Sequence, residues 1–120
     1  SRISASDMVG ALVRMGPDST LAAILKQVPM RDQKGNLVPN SPVVIHAKTG
    51  TLNFVSALAG YMRTANGTDL AFAIFTADLA RHAAVSDVDR EKPPGARGWS
   101  RQARRMQDAL INRWATLYDA

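Results

Sequence analysis

The sequence predicts an α+β fold in which helices pack against an antiparallel sheet of three strands. Three apolar runs carry this prediction, at about residues 43–50, 54–64 and 69–77. The second and third runs are joined by Asn66-Gly67, a dipeptide that is typical of tight β-hairpins. Consecutive strands are therefore expected to be neighbours, each antiparallel to the next.

Helices are predicted at both ends of the chain. The first has its N-cap at Ser4 or Ser6 and runs to about Met15, where Gly16-Pro17 ends it. The last covers about residues 99–118 and carries an apolar stripe at spacings of three and four. The members of the stripe are Trp99, Ala103, Met106, Leu110, Trp114 and Leu117.

A second helix is predicted between the first helix and the sheet. Its cap is Asp18, Ser19 or Thr20, and its apolar stripe consists of Leu21, Ile24, Leu25 and Val28. Pro29 stops this helix because proline removes a backbone donor and clashes with the preceding turn. A polar connection with a turn signal at residues 34–36 then leads to the first strand.

Both faces of the predicted third strand, at about residues 69–77, carry apolar side chains. The even-numbered residues 70–74 and the odd-numbered residues 71–75 contain only aliphatic, alanine and phenylalanine side chains. A strand of this kind is buried on both sides. We therefore expect the last helix to cover one face of the sheet and the first two helices to contribute to the other.

Composition indicates a globular domain and narrows the classes of partner. Hydrophobic residues make up 46% of the 120 residues, and cysteine is absent, which excludes disulfides and thiolate metal sites. No apolar run approaches the roughly 20 residues that a membrane span needs. The formal charge of +5 is compatible with an anionic polymer. However, the chain lacks a phosphate loop, zinc spacing and an aromatic strand platform, so we expect no nucleic-acid partner.

The candidate functional site is the corner at the end of the first strand, Lys48-Thr49-Gly50-Thr51. Lys48 offers a point charge, and the two threonine hydroxyls can donate to a carboxylate. Gly50 allows a ligand to approach the backbone closely, and the Thr51 N–H is a candidate oxyanion donor. By itself, the tripeptide Lys-Thr-Gly is more typical of a solvated turn than of an active site.

His46, Asn53 and the start of the long loop are weaker candidates. His46 is expected to share a strand face with Val44 and Lys48, where it can titrate near the site or simply pack against a neighbour. No second histidine or carboxylate stands at metal-ligand spacing, so no metal is expected. Asn53 more often stabilises a turn than contacts a substrate. For Asp78, Arg81 and His82, at the start of the polar residues 78–98, a solvated loop is the favoured interpretation.

The longer string HAKTGTLNFVSALAGY, residues 46–61, resembles the third motif of the penicillin-recognising D-alanyl-D-alanine carboxypeptidases. More narrowly, it is similar to the carboxypeptidase/endopeptidase branch of the penicillin-binding protein 4 type. The similarity continues through RTANGTDLAFAIF. The opening Ser1-Arg2 resembles the end of that branch's DGSGLSR segment, and the closing helix also fits. The resemblance therefore covers essentially the whole chain.

Only the third of the family's three motifs, Ser-x-x-Lys, Ser-x-Asn and Lys-Thr-Gly, is present. Ala23, Arg31, Ile45 and Asp89 stand three positions before the four lysines, and no serine is followed two residues later by asparagine. The resemblance therefore implies that residues 1–120 are the C-terminal portion of a β-lactamase/transpeptidase-like domain. The N-terminal part of the same protein would supply the nucleophile.

The resemblance implies a periplasmic serine D-Ala-D-Ala carboxypeptidase, with endopeptidase activity as a further option. It would act on peptidoglycan stem peptides through an acyl-enzyme and bind β-lactams, without a cofactor or metal. In this scheme, Lys48 guides the substrate carboxylate and Thr49 hydrogen-bonds it, with assistance from Thr51. Gly50 gives clearance, and the Thr51 N–H is one oxyanion donor. The 120 residues alone are expected to be inactive, and peripheral membrane association is left open.

Two alternative functions and one departure from the family pattern remain. One alternative is a β-lactamase or esterase relative that shares the Lys-Thr-Gly corner. The other is a non-catalytic module that binds cell-wall polymer or another chain through the basic last helix. Many relatives carry a small residue at the position of Phe54, whose ring either narrows the cleft or fills a core.

Overall fold

A computed structural model of the chain describes residues 3–52, 54–78, 80–81 and 95–119. In chain order, the elements are α1 (Ala5–Met15), α2 (Thr20–Ile24), β1 (Lys26–Val28), β2 (Val44–Leu52), β3 (Val55–Arg63), β4 (Asp69–Ala77) and α3 (Ala96–Leu117). The predicted α+β class is confirmed. The three predicted strands are also present, within two residues of the expected limits.

The sheet is antiparallel throughout, in the order β1-β2-β3-β4. The register between β2 and β3 is unbroken from Val44 opposite Arg63 to Leu52 opposite Val55. Asn66-Gly67 lies in the β3–β4 turn as predicted, and Gly67 there has a φ of +91°. Regular pairing fixes which side chains share a face, because residues alternate between faces along each strand.

The prediction that the second helix extends to Val28 is wrong. Helix α2 ends at Ile24, the backbone of Leu25 is extended, and Lys26–Val28 pairs antiparallel with β2. A helix of five residues is only marginally stable, so pairing with an existing strand determines the structure of the next residues. Of the three candidate caps, Ser19 caps α2 by accepting a hydrogen bond from the Ala22 N–H at 3.2 Å.

The two other helices end close to the predicted positions. Ser4 caps α1 by accepting from the Asp7 N–H at 3.0 Å, and Gly16 ends it with a φ of +86°. Helix α3 begins at Ala96, three residues before the expected Trp99, because the left-handed Gly95 precedes it.

Helices cover both faces of the sheet, as predicted. On one face, Ile111 and Ala115 of α3 complete a buried core. Its sheet residues are Ile45, Ala47, Leu58, Met62, Phe72 and Ile74. On the other face, a smaller cluster joins Leu12 of α1 and Ala22 of α2 to Tyr61 of β3. Ile45 and Ala47 of β2 are buried in the first core, whereas residues 48–51 at the end of the strand are exposed.

Tyr61 contributes a testable polar link between the sheet and α1. Its buried hydroxyl donates to the Leu12 carbonyl at 2.7 Å. Tyr61→Phe should reduce the free energy of unfolding by about 1 kcal/mol, because that donor is lost while the ring remains buried. Urea unfolding would measure the change, with Tyr118→Phe as the control at an exposed tyrosine. Equal losses in the two variants would contradict this role.

Candidate functional site

The four predicted site residues lie together on the exposed end of β2. Lys48, Thr49, Gly50 and Thr51 are all exposed. Strand β1 pairs with β2 only as far as Ala47, so the outer edge of β2 has no partner strand beyond that point among the described residues. An edge of this kind presents unpaired backbone N–H and C=O groups. The corner therefore combines a cation, two hydroxyls and an open strand edge.

Lys48 and Thr49 leave the sheet on opposite faces. Lys48 lies opposite Ala59, which packs beneath α1, whereas Thr49 lies opposite Leu58 in the core beneath α3. Directly opposed residues of antiparallel strands share a face. A ligand that contacts both side chains must therefore lie along the edge of β2, between the two faces.

Gly50 leaves open space on the same face as Lys48. A Cβ atom at this position would meet the Ala57 Cβ at 3.8 Å, an ordinary van der Waals contact. The described part of the chain therefore does not require glycine here for its own packing. Because Gly50 has no side chain, the surface beside Lys48 has room for a ligand to approach the backbone.

His46 shares the face of Lys48, two residues and roughly 7 Å along the strand. It is half-buried and lines a cavity of about 260 Å³ together with Pro17, Asp18 and Tyr61. The described residues contain no group of three or more metal-ligating side chains. The shared face and the cavity lining place His46 beside the corner, in a cleft between the sheet and the α1–α2 connection.

Phe54 fills a core on the α3 side and does not occupy the face of Lys48. The residue is only 3% exposed, and the centroid of its ring lies 6.1 Å from that of Trp99 in an edge-to-face arrangement. The Arg81 guanidinium lies 5.5 Å from the ring centroid. Phe54 also has a φ of +61°, a left-handed conformation that costs a non-glycine residue roughly 1–2 kcal/mol. Burial of the ring offsets this cost.

The other weak candidates divide into two groups. Asp78 and Arg81 interact with each other, through Arg81 Nε at 3.5 Å from Asp78 Oδ2 and the Arg81 N–H at 3.1 Å from Oδ1. Asn53 and His82 lie outside the described part of the chain, so the predictions made for these two residues stay predictions.

None of the described helices has the length and apolarity to span a bilayer.

A second charged feature lies on the α3 face of the sheet, and sequence reasoning identified only its helical part, the basic last helix. Arg101, Arg104 and Arg105 of α3 line a groove together with Arg31 and Lys34 of the connection before β2. The spacing of the three helical arginines places them on one side of α3. No local pattern indicates that the connection brings two further cations to the same place.

Asp108 is an acid within this groove. Burial raises the pKa of Asp108, while the nearby positive charges of Arg31, Arg104 and Arg105 lower it and Asp32 raises it further. The net shift is upward, so folding favours the protonated carboxyl. Asp108 therefore stabilises the fold at pH values below its unfolded pKa and loses this contribution as pH rises through the folded pKa.

Asp108→Asn tests this sign. We expect the stability of the wild type relative to the variant to rise as pH falls from about 6 to about 3, because only the wild type takes up the proton. Urea unfolding at both pH values measures the difference. A relative stability that is constant, or that falls with decreasing pH, would refute the upward shift.

Comparison with known proteins assigns the family. The profile of the D-Ala-D-Ala carboxypeptidase 3 (S13) family matches residues 1–92, which include the whole sheet and the Lys48–Thr51 corner. Searches of curated proteins and of solved structures found no match. The profile match covers most of the chain and agrees with the resemblance carried by residues 46–61. The chain therefore belongs to the D-Ala-D-Ala carboxypeptidase 3 (S13) family of peptidases.

Proposed function

We propose that this chain forms the Lys-Thr-Gly part of a periplasmic serine D-Ala-D-Ala carboxypeptidase that acts on peptidoglycan stem peptides. The observation that carries the proposal is the position of the corner. In a chain of this family, Lys48 to Thr51 lie on an exposed strand edge with no partner strand among the described residues.

The open edge suits an extended peptide that ends in a carboxylate. Such a peptide can lie alongside β2 and hydrogen-bond to its unpaired backbone groups. Its C-terminal carboxylate then meets the Lys48 ammonium group from one face and the Thr49 hydroxyl from the other. The Thr51 hydroxyl provides a further donor at the same edge.

Gly50 and the Thr51 backbone complete the proposed site. Because Gly50 is not required by packing within the described residues, its role is to give a bound peptide clearance beside Lys48. The Thr51 N–H stabilises the oxyanion that forms when the serine attacks the carbonyl between the two D-alanines. The second oxyanion donor belongs to the backbone at that serine.

The nucleophile comes from a further part of the protein, since no Ser-x-x-Lys occurs in these residues. Surface features support this proposal. Val13, Met15 and Ile24 are between 52% and 72% exposed on α1 and α2. In addition, the outer edge of β4 has no partner strand in the described part of the chain. We propose that the remainder of a β-lactamase/transpeptidase-like domain covers these surfaces, and that these 120 residues alone are inactive.

Release of D-alanine from a pentapeptide ending in D-Ala-D-Ala tests the function in the full-length gene product. We expect release that benzylpenicillin blocks through a slowly hydrolysed acyl-enzyme. Rapid turnover of benzylpenicillin without peptide hydrolysis would instead identify a β-lactamase. Peptide hydrolysis that is insensitive to benzylpenicillin would refute the acyl-enzyme scheme. A cross-linked peptide dimer, assayed in parallel, would reveal endopeptidase activity.

A further inference from the structure

A cationic groove of about 620 Å³ lies between α3 and the connection that precedes β2. Its charged lining consists of Arg31, Lys34, Arg101, Arg104, Arg105 and Asp108. Five of these six side chains are cationic, so the groove carries a strong local excess of positive charge. It lies on the α3 face of the sheet, whereas Lys48 leaves from the other face.

The positive charge of the groove is not neutralised within the described residues. Among the described residues, ion pairs join Arg63 to Asp69 and Arg81 to Asp78, and neither pair involves a cation of the groove. Asp108 is the single acid among the groove's described lining residues. Five cations that converge around a single acid leave a net positive charge, which makes the groove an electrostatic binding surface for an anion.

The two walls of the groove are held together by hydrogen bonds. The Asn112 side chain of α3 donates to the Arg31 carbonyl at 2.7 Å, which ties the connection to the helix. The Arg31 side chain donates to the Gly35 carbonyl at 2.9 Å, and the Asp32 carboxylate accepts from the backbone N–H groups of residues 34 and 36. These contacts order the backbone of the connection and the Arg31 side chain before any ligand arrives, which lowers the entropy cost of binding.

The shape and lining of the groove favour carboxylates carried on a flexible chain. Guanidinium groups bind carboxylates through paired hydrogen bonds. The described lining contains no aromatic side chain on which nucleic-acid bases could stack. Because the cations line a concave surface, a flat bilayer would not reach all of them. Thr49 also lines the groove, so the groove meets the edge of β2 at the proposed catalytic corner.

We propose that this groove binds carboxylate-bearing stem peptides of peptidoglycan at a distance from the reacting bond. The polymer is held on the α3 face while one peptide end reaches the edge of β2. The choice of ligand rests on the proposed function, because a carboxypeptidase of this class works on a polymer that presents many such peptides. The binding itself requires only the described residues of this chain.

Co-sedimentation of the 120-residue chain with purified insoluble peptidoglycan tests the proposal. The test variant is Arg104→Gln/Arg105→Gln, and the matched control is Arg97→Gln/Arg113→Gln. The control changes the same helix and the same net charge at exposed arginines outside the groove. Glutamine supports helices nearly as well as arginine, and circular dichroism would verify that both variants are folded.

We expect saturable binding by the wild type, weakened about tenfold in the groove variant and little changed in the control. Binding should also fall as NaCl rises from about 0.05 to 0.5 M. Equal weakening in both variants would overturn the proposal, because it would indicate net charge alone. Tighter binding to vesicles of anionic phospholipid, or to duplex DNA, would overturn the assigned ligand.

A separate measurement distinguishes failure of the groove from failure of the proposed function. In the full-length gene product, Arg104→Gln/Arg105→Gln should leave the rate of benzylpenicillin acylation unchanged, because the proposed acylation site uses Lys48 to Thr51 and neither of these arginines. Groove-dependent sedimentation without acylation would support the groove and refute the carboxypeptidase. Acylation without groove-dependent sedimentation would support the carboxypeptidase and refute the groove.

Discussion

Replacing Lys48 by alanine should slow acylation of the full-length gene product by benzylpenicillin about 100-fold or more. The lysine is exposed at the open edge of β2, where its charge can attract the carboxylate that benzylpenicillin shares with a D-Ala-D-Ala peptide. Loss of this charge removes guidance of the ligand and stabilisation of negative charge during attack. Because Lys48 lies on the surface, the fold should remain intact.

Stopped-flow or quenched acylation rates would measure the effect of Lys48→Ala. Lys26→Ala is a matched control, since Lys26 is also exposed and lies on β1 directly opposite Ala47, next to the corner. It removes the same charge one strand away, on the opposite face of the sheet. Acylation of Lys48→Ala at the wild-type rate, or an equal loss in Lys26→Ala, would contradict the role assigned to Lys48.

Gly60→Ala should destabilise the fold by about 3 kcal/mol or prevent folding. A Cβ atom at Gly60 would overlap the His46 carbonyl oxygen and would lie 2.6 Å from the Ala47 Cα and 2.8 Å from the Ala47 Cβ. Two of these atoms are backbone atoms of β2, which β1 and β3 hold from both sides. They cannot move aside as a flexible side chain would, so the β2–β3 pairing must distort.

Gly10→Ala makes the same chemical change and should have the opposite effect on stability. Gly10 lies within α1, and a Cβ atom there would have no neighbour within 4 Å outside its own helix among the described residues. Alanine should therefore raise the stability by about 0.5–1 kcal/mol through its higher helix propensity. Urea unfolding would compare the two variants. A stable Gly60→Ala variant with an unchanged midpoint would show that β2 leaves room for a Cβ atom at Gly60, and would contradict this prediction.

The parts of the fold that local patterns specify were predictable from sequence. The apolar alternation and the Asn66-Gly67 turn predicted β2, β3 and β4, and Ser4 with Gly16 predicted the limits of α1. Strand β1 was not predictable in this way. Its residues continue the helical spacing of α2, and they become a strand only by pairing with β2, which is distant in sequence.

The candidate site and the cationic groove differ in the same way in how far the sequence predicts them. Residues 48–51 form a continuous motif, so their common position at one corner follows from the sequence. The opposite directions of Lys48 and Thr49 also follow from strand alternation once the register is known. The cationic groove depends instead on the hydrogen bond between Asn112 and Arg31, which joins residues 81 positions apart. Single-sequence patterns carry no information about such a contact.

Phe54 shows how a departure from a family pattern is resolved by packing. The resemblance leads to an expectation of a small residue at this position, which the left-handed backbone would also favour. The structure instead provides a buried pocket against Trp99 and Arg81. These partners come from α3 and from the residues after β4, so their arrival at the β2–β3 turn is a tertiary effect.

The most direct test of the central proposal is an intact-mass measurement after incubation with benzylpenicillin, on the full-length gene product and on the 120-residue chain. We predict one adduct per full-length molecule, on a serine outside these 120 residues, and no adduct on the 120-residue chain. A stoichiometric adduct on any of the chain's own serines would place the nucleophile within it and contradict the assignment. The absence of an adduct on the full-length product would contradict the penicillin-binding carboxypeptidase itself.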